Sequence, residues 1–130
     1  MTTAATATGT SAKEIGQKLI ALCKAEKNIE AIDTLYADDV VSVEAGGPAD
    51  MPREMTGKQA IKGKNEWWVN NHEIHSAEAD GPYPKDDQFI VRFVYDVTNK
   101  PSGQRFKMEE AGLYTVKNGK IVREEFFYSM

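Results

Sequence analysis

Alternation of apolar and polar side chains dominates the second half of the chain. Phe89, Val91, Phe93, Tyr95 and Val97 alternate with Ile90, Arg92, Val94 and Asp96, which marks a strand with one markedly more apolar face. Two further runs, Leu113–Lys117 and Lys120–Phe126, flank Asn118-Gly119. An Asn-Gly pair accepts positive φ at both centres of a type I′ turn, so these runs form a hairpin. A regular hairpin then sets Val116 opposite Ile121, Leu113 opposite Glu124 and Ala111 opposite Phe126. Strands are expected near 73–80, 88–97, 104–117 and 120–128, with Pro82–Asp87 and Asn99–Gly103 as the breaks.

Helical spacing is confined to the first half. Ser11 with Glu14 reads as a capping box that starts a helix near Ala12, carrying Ile15, Leu19 and Leu22. Asn28 is expected to cap a second, short helix bearing Ile29, Ile32, Leu35 and Tyr36, which Ala37-Asp38-Asp39 ends. Val40–Glu44 is rich in β-branched residues and reads as a short strand, and residues 45–52 as a loop. Thr56 with Gln59 predicts a second capping box, opening a third helix that runs to about Asn71 through Ile61, Trp67 and Trp68. Helices first and an antiparallel meander last is an α+β pattern, with the helices covering one sheet face. Such a layer leaves a wedge that side chains fill or a ligand occupies.

Composition narrows the partners. A net charge of −4 argues against a nucleic-acid surface, and no apolar run approaches the ~18 residues of a membrane helix. Residues 1–11 carry neither the basic start nor the apolar core of a secretory signal and read as a disordered leader. A lone Cys23 in a helical apolar stretch reads as a small buried hydrophobe and fits a reducing cytoplasm.

Three segments carry a family resemblance: Leu35-Tyr36-Ala37-Asp38-Asp39 after two helices, Gly57-Lys58-Gln59-Ala60-Ile61 opening a third, and Lys117-Asn118-Gly119-Lys120-Ile121-Val122 near the end. In this order the chain resembles the nuclear-transport-factor-2-like superfamily, in particular its SnoaL-like bacterial members. The resemblance implies one α+β barrel domain over residues 12–130: a cone-shaped, curved antiparallel sheet with three helices on its concave face, the cystatin-like roll. It also implies a deep pocket and a homodimer formed through the sheet. Activity stays open, because isomerases, cyclases, epoxide hydrolases, dehydratases and non-catalytic binders share this fold. Carried over by position, the base of the ketosteroid-isomerase branch falls on Glu44, but its oxyanion Tyr falls on Ile20 and its oxyanion Asp on Ala111. The acid/base of the SnoaL polyketide cyclases, on the last strand, falls on Phe126. Neither donor set is complete.

With regular hairpin pairing, Glu109, Ala111, Leu113 and Thr115 share a face with Val122, Glu124, Phe126 and Tyr128, and the resemblance makes that the pocket face. A carboxylate among aromatic rings loses hydration, its pKa rises, and it becomes a competent acid or base near neutral pH. Glu124, Glu109 and Glu44 are the catalytic candidates, and Tyr36, Trp68, Phe93, Tyr95, Phe126 and Tyr128 the ligand-binding ones. The other face of the same strand, with Phe106, Met108, Tyr114 and Val116, is nevertheless the more apolar. Either a dimer buries it, or a β-bulge before Ala111 turns Glu110 inward in place of Glu109. His72 and His75 point to opposite faces of a strand and do not suggest a metal site, which needs three or four ligands.

Three functions remain open. One is a cofactor-independent acid/base isomerase, cyclase, dehydratase or hydrolase acting on a small apolar organic substrate. Another is a non-catalytic ligand-binding module. The third is a protein-interaction domain that docks through Phe106, Met108 and Tyr114.

Overall fold

The structure is a computed structural model that describes residues 11–47, 49 and 52–129. The expected leader, apart from Ser11, therefore lies outside the described residues, as do parts of the expected loop 45–52. The elements are α1 (Ala12–Lys24), α2 (Asn28–Leu35), β1 (Tyr36–Val43), β2 (Glu54–Thr56), α3 (Lys58–Asn71), β3 (His72–Lys85), β4 (Gln88–Asn99), β5 (Arg105–Lys117) and β6 (Lys120–Phe127).

The helix starts separate true caps from apparent ones. Ser11 Oγ accepts the Glu14 backbone N–H at 3.2 Å, as expected for α1. Asn28 is the first residue of α2 rather than its cap; Lys27 holds that position without a side-chain bond. Thr56 does not cap α3 either. It is the end of β2, paired with Val41, and Gly57 turns the chain at φ 99°. Sheet pairing has taken the residue that the local pattern assigned to a cap.

The six strands are ordered β2-β1-β6-β5-β4-β3 in an open sheet with β2 and β3 at its edges. Every neighbouring pair is antiparallel except β1 and β6, which run parallel, so the sheet is mixed rather than wholly antiparallel and is not a closed barrel. Parallel neighbours need a long crossover. Everything from β2 to β5 supplies it.

Asn118 and Gly119 turn at φ 54° and 77°, as the type I′ reading requires. Val116 pairs with Ile121, and then the register slips by one. Tyr114 faces Glu124, Leu113 faces Glu125, Gly112 faces Phe126 and Ala111 faces Phe127, which corrects the regular pairing. Val122 is the extra residue. A bulge of one residue exchanges the two faces of everything beyond it. It sits just after the turn on β6, not before Ala111 on β5. The inward face of β5 is consequently Phe106, Met108, Glu110, Gly112, Tyr114 and Val116, the apolar face, and Glu109 points out.

Ile15, Leu19 and Ile20 of α1, Ala31, Ile32 and Leu35 of α2, and Ile61 of α3 pack on Val40, Phe89, Val91, Phe93, Tyr114 and Ile121. Each large apolar side chain so buried contributes roughly 1.5–3 kcal/mol. The Phe89 and Tyr114 rings stack across β4 and β5 with centroids 4.8 Å apart.

Candidate functional site

Between the helices and the inner sheet face lies a cavity of about 1210 Å³. Strand alternation places its polar floor. Tyr36, Val40 and Ser42 point inward from β1, and the bulge at Val122 brings Ile121 and Glu124 to the same side. Lys64 reaches this floor from α3, on the same helix face as Ile61 and Trp68, three residues after one and four before the other.

Glu124 is 3% exposed and both of its oxygens are occupied. Tyr36 Oη donates to Oε1 at 2.5 Å, and Ser42 Oγ donates to Oε2 at 2.6 Å. Lys64 Nζ lies 4.0 Å from the same Oε2. Burial pushes the Glu124 carboxyl up; Lys64 and the two hydroxyls pull against it, and Glu44 adds repulsion. Burial and Glu124 together raise the Tyr36 phenol well above its usual range, so it stays a donor.

Lys64 Nζ donates to Ser42 Oγ and to Glu44 Oε2, both at 2.7 Å, and Tyr128 Oη donates to Glu44 Oε1 at 2.9 Å. A continuous hydrogen-bonded chain thus runs Tyr36–Glu124–Ser42–Lys64–Glu44–Tyr128, from the core to a tyrosine beside the Gly46 backbone. Burial first, then Glu44, push the Tyr128 phenol up to about 12.

Glu110 stands differently. It faces Phe93 across β4 and β5, and burial, then repulsion from Glu44, lift its carboxyl to about 7, against a smaller opposing pull from Lys64. No hydrogen bond contributes to that shift. Of the three floor carboxyls, Glu44, Glu110 and Glu124, it is the uncommitted one, half-buried and with no hydrogen bond behind its shift.

The walls are aromatic. Trp68 stacks on the buried His72 at 3.8 Å and lies 6.3 Å from Tyr95, which is parallel to Phe93 at 6.0 Å. Phe126 lines the floor beneath Lys64, whose ammonium sits 5.4 Å from the ring centroid. Trp67, by contrast, is 40% exposed.

The structure therefore brings together Glu124, Glu44, Tyr36, Trp68, Phe93, Tyr95, Phe126 and Tyr128 around one cavity. Glu109 is placed apart: its carboxylate is exposed and paired with Arg92 on the outer face. Phe106, Met108 and Tyr114 line the cavity, so they do not form an outer docking face. Ser42 and Lys64 were not singled out from the sequence. Their signals were present, in the Val40-x-Ser42-x-Glu44 alternation and the Ile61/Lys64/Trp68 stripe. His72 bonds Trp68 O and Asn99, while His75 bonds Thr98. Among the described residues no group of three or more His, Cys, Asp or Glu could hold a metal ion. No helix among them is long and apolar enough to cross a membrane.

Three helices laid on an open, curved six-stranded sheet make the α+β cone of nuclear-transport-factor-2-like and cystatin-like proteins. The chain belongs to the SnoaL-like domain family, whose profile matches residues 10–128. A Mesorhizobium loti protein described as a candidate SnoaL-like polyketide cyclase shares 46% identity over 88% of this chain and 97% of its own, with a TM-score of 0.82. A candidate isomerase from Bacillus subtilis is 21% identical over 91% of this chain and 86% of its own, TM-score 0.73. A Catenulispora acidiphila protein with a ketosteroid isomerase-like fold is 24% identical over 92% and 88%, TM-score 0.71. These last two likenesses bear on the fold alone. No curated protein matches the chain.

Proposed function

We propose that the cavity binds a small, mostly apolar organic molecule and moves a proton on it without a cofactor, in an isomerase, cyclase, dehydratase or hydrolase reaction. The observation that carries this reading is the contrast between two carboxyls on one floor. Glu124 has both oxygens engaged, and it orients Tyr36 and Ser42. Glu110 has an ionisation near 7 and no hydrogen bond contributing to it, which suits a group that must both give and take a proton near neutral pH. Glu44, fixed by Lys64 and Tyr128, anchors the polar end of the ligand. Trp68, Tyr95 and Phe126 supply flat apolar walls, and Phe93 backs them.

A thermal-melt screen of small aromatic and alicyclic carbonyl compounds tests the reading, followed by turnover assays on each hit. Ligand at a hundred times its Kd should stabilise the protein by about 2.7 kcal/mol. Glu110→Gln should lose turnover by about a hundred-fold or more while uncharged hits still bind. Turnover that survives Glu110→Gln unchanged would remove Glu110 from the chemistry.

Non-catalytic ligand binding is the second reading, favoured by the full engagement of Glu124 and the missing oxyanion donors at Ile20 and Ala111. Hits that bind tightly and are never turned over would select it. The homodimer belongs to the proposal as well: Tyr83, Ile90 and Phe127 are 59%, 41% and 52% exposed, and Tyr83, Ile90 and Phe127 line one shallow groove. A cytoplasmic setting is consistent with Cys23, whose thiol burial pushes up to about 11, leaving it inert.

A further inference from the structure

With Glu109 set aside, because its carboxylate turns outward to Arg92, seven glutamates and four lysines line the cavity, with no aspartate or arginine among its described residues. Rim charges are screened by water, but the imbalance persists at the floor, where Glu44, Glu110 and Glu124 surround Lys64 alone. That lysine is already committed to Ser42 and Glu44. A concave, low-dielectric site with surplus carboxylate concentrates cations. Its walls suit them too. Lys64 already places an ammonium over the Phe126 ring, so this cavity contains one cation–π contact of its own.

We propose that the molecule held here carries an ammonium group, protonated or quaternary, on its apolar body, with the cation seated beside Glu110 among the rings of Tyr95, Trp68 and Phe126. The inference rests on the small-molecule reading above and names its substrate class. Sheet register supports the placement. Glu110 lies opposite Phe93; Tyr95, opposite Met108, is its diagonal neighbour on β4, and Phe126, opposite Gly112, on β6. Tyr95 and Trp68 are 6.3 Å apart. A bound ammonium adds to the partial counter-charge that Lys64 gives Glu110. Other titratable groups around this position are Glu44 just beyond β1, Lys64 from α3, His72 from β3 stacked behind Trp68, Tyr95 from β4, Glu124 from β6 and Tyr128 just beyond it, with Cys23 on α1. Burial, then Glu44 at Tyr128 and Glu110 at Tyr95, hold these two phenols protonated across the range tested, and Glu110→Gln isolates the part of the response that belongs to Glu110.

Two isosteric probes that differ only in charge, phenyltrimethylammonium and tert-butylbenzene, should be titrated into the full chain and followed by NMR shifts. At about pH 8 the cation should bind about ten-fold more tightly than the hydrocarbon, a preference that shrinks towards about pH 5.5 as Glu110 takes up its proton. Glu110→Gln should abolish the pH-dependent part, and Glu109→Gln, on the outer face, should leave it intact. Equal or tighter binding of tert-butylbenzene at both pH values overturns the ammonium proposal and leaves the small-molecule reading standing. A preference unchanged by Glu110→Gln also overturns it. Failure of both probes to bind overturns the two together.

Discussion

Glu124 shows what a buried charge requires. Removing a carboxylate from water costs several kcal/mol, and hydrogen bonds to a charged group return roughly 1.5–3 kcal/mol each. Here Tyr36 and Ser42 provide one to each oxygen, and Lys64 adds attraction at 4.0 Å. Tyr36→Phe removes one donor and nothing else from a fully buried pair. It should destabilise the protein by about 1.5–3 kcal/mol at neutral pH and drive the Glu124 ionisation further up, read by urea denaturation at two pH values. A loss under about 0.5 kcal/mol would mean that the carboxyl does not depend on that hydroxyl. Glu124 and Glu44 were legible as pocket acids because each lies on the inward beat of its strand. Glu110 was legible only as an alternative to Glu109, because choosing between them required knowing where one strand slips.

That slip belongs to the scale of elements. The Asn118-Gly119 turn and the strands around it follow from local chemistry, but nothing in Lys120-Ile121-Val122-Arg123-Glu124 marks Val122 as the bulged residue. The apolar balance of β5 did mark the outcome. Phe106, Met108, Tyr114 and Val116 belong inside because burial decides the face, and the bulge is the way the hairpin accommodates it. The same competition explains Thr56, where pairing with Val41 outweighed a capping bond worth about 1 kcal/mol. The parallel β1–β6 pair was illegible, since no short-range signal specifies a partner some eighty residues away. Helix packing yields a sharper test. A Cβ on Gly16 would come within 2.6 Å of Pro82 Cβ, so α1 lies against β3 with no room for a methyl group. Gly16→Ala gains at most about 1 kcal/mol of helix propensity and incurs overpacking of about 1–3 kcal/mol. The variant should therefore melt lower than the wild type. A higher melting temperature would show that α1 is free to shift.

At the scale of the whole molecule, the pocket acids link stability to pH. The ordinary value for the Glu110 carboxyl is 4.5, and the fold lifts it to about 7. A folded pKa above the unfolded one means that the native state holds the proton more tightly. Its contribution is complete below 4.5 and disappears as pH rises through 7, a loss of about 3 kcal/mol. Glu124 is shifted in the same direction and adds to the trend. Wild-type stability should accordingly fall between about pH 5 and pH 8, and Glu110→Gln should flatten that slope and exceed the wild type at the upper end. The cavity floor bears an uncommitted acid, and carbon-13 NMR titration of the glutamate carboxyls reads its protonation without an intermediary. One side-chain resonance should titrate near 7 and vanish in Glu110→Gln; a Glu110 carboxyl titrating near 4.5 would contradict the account.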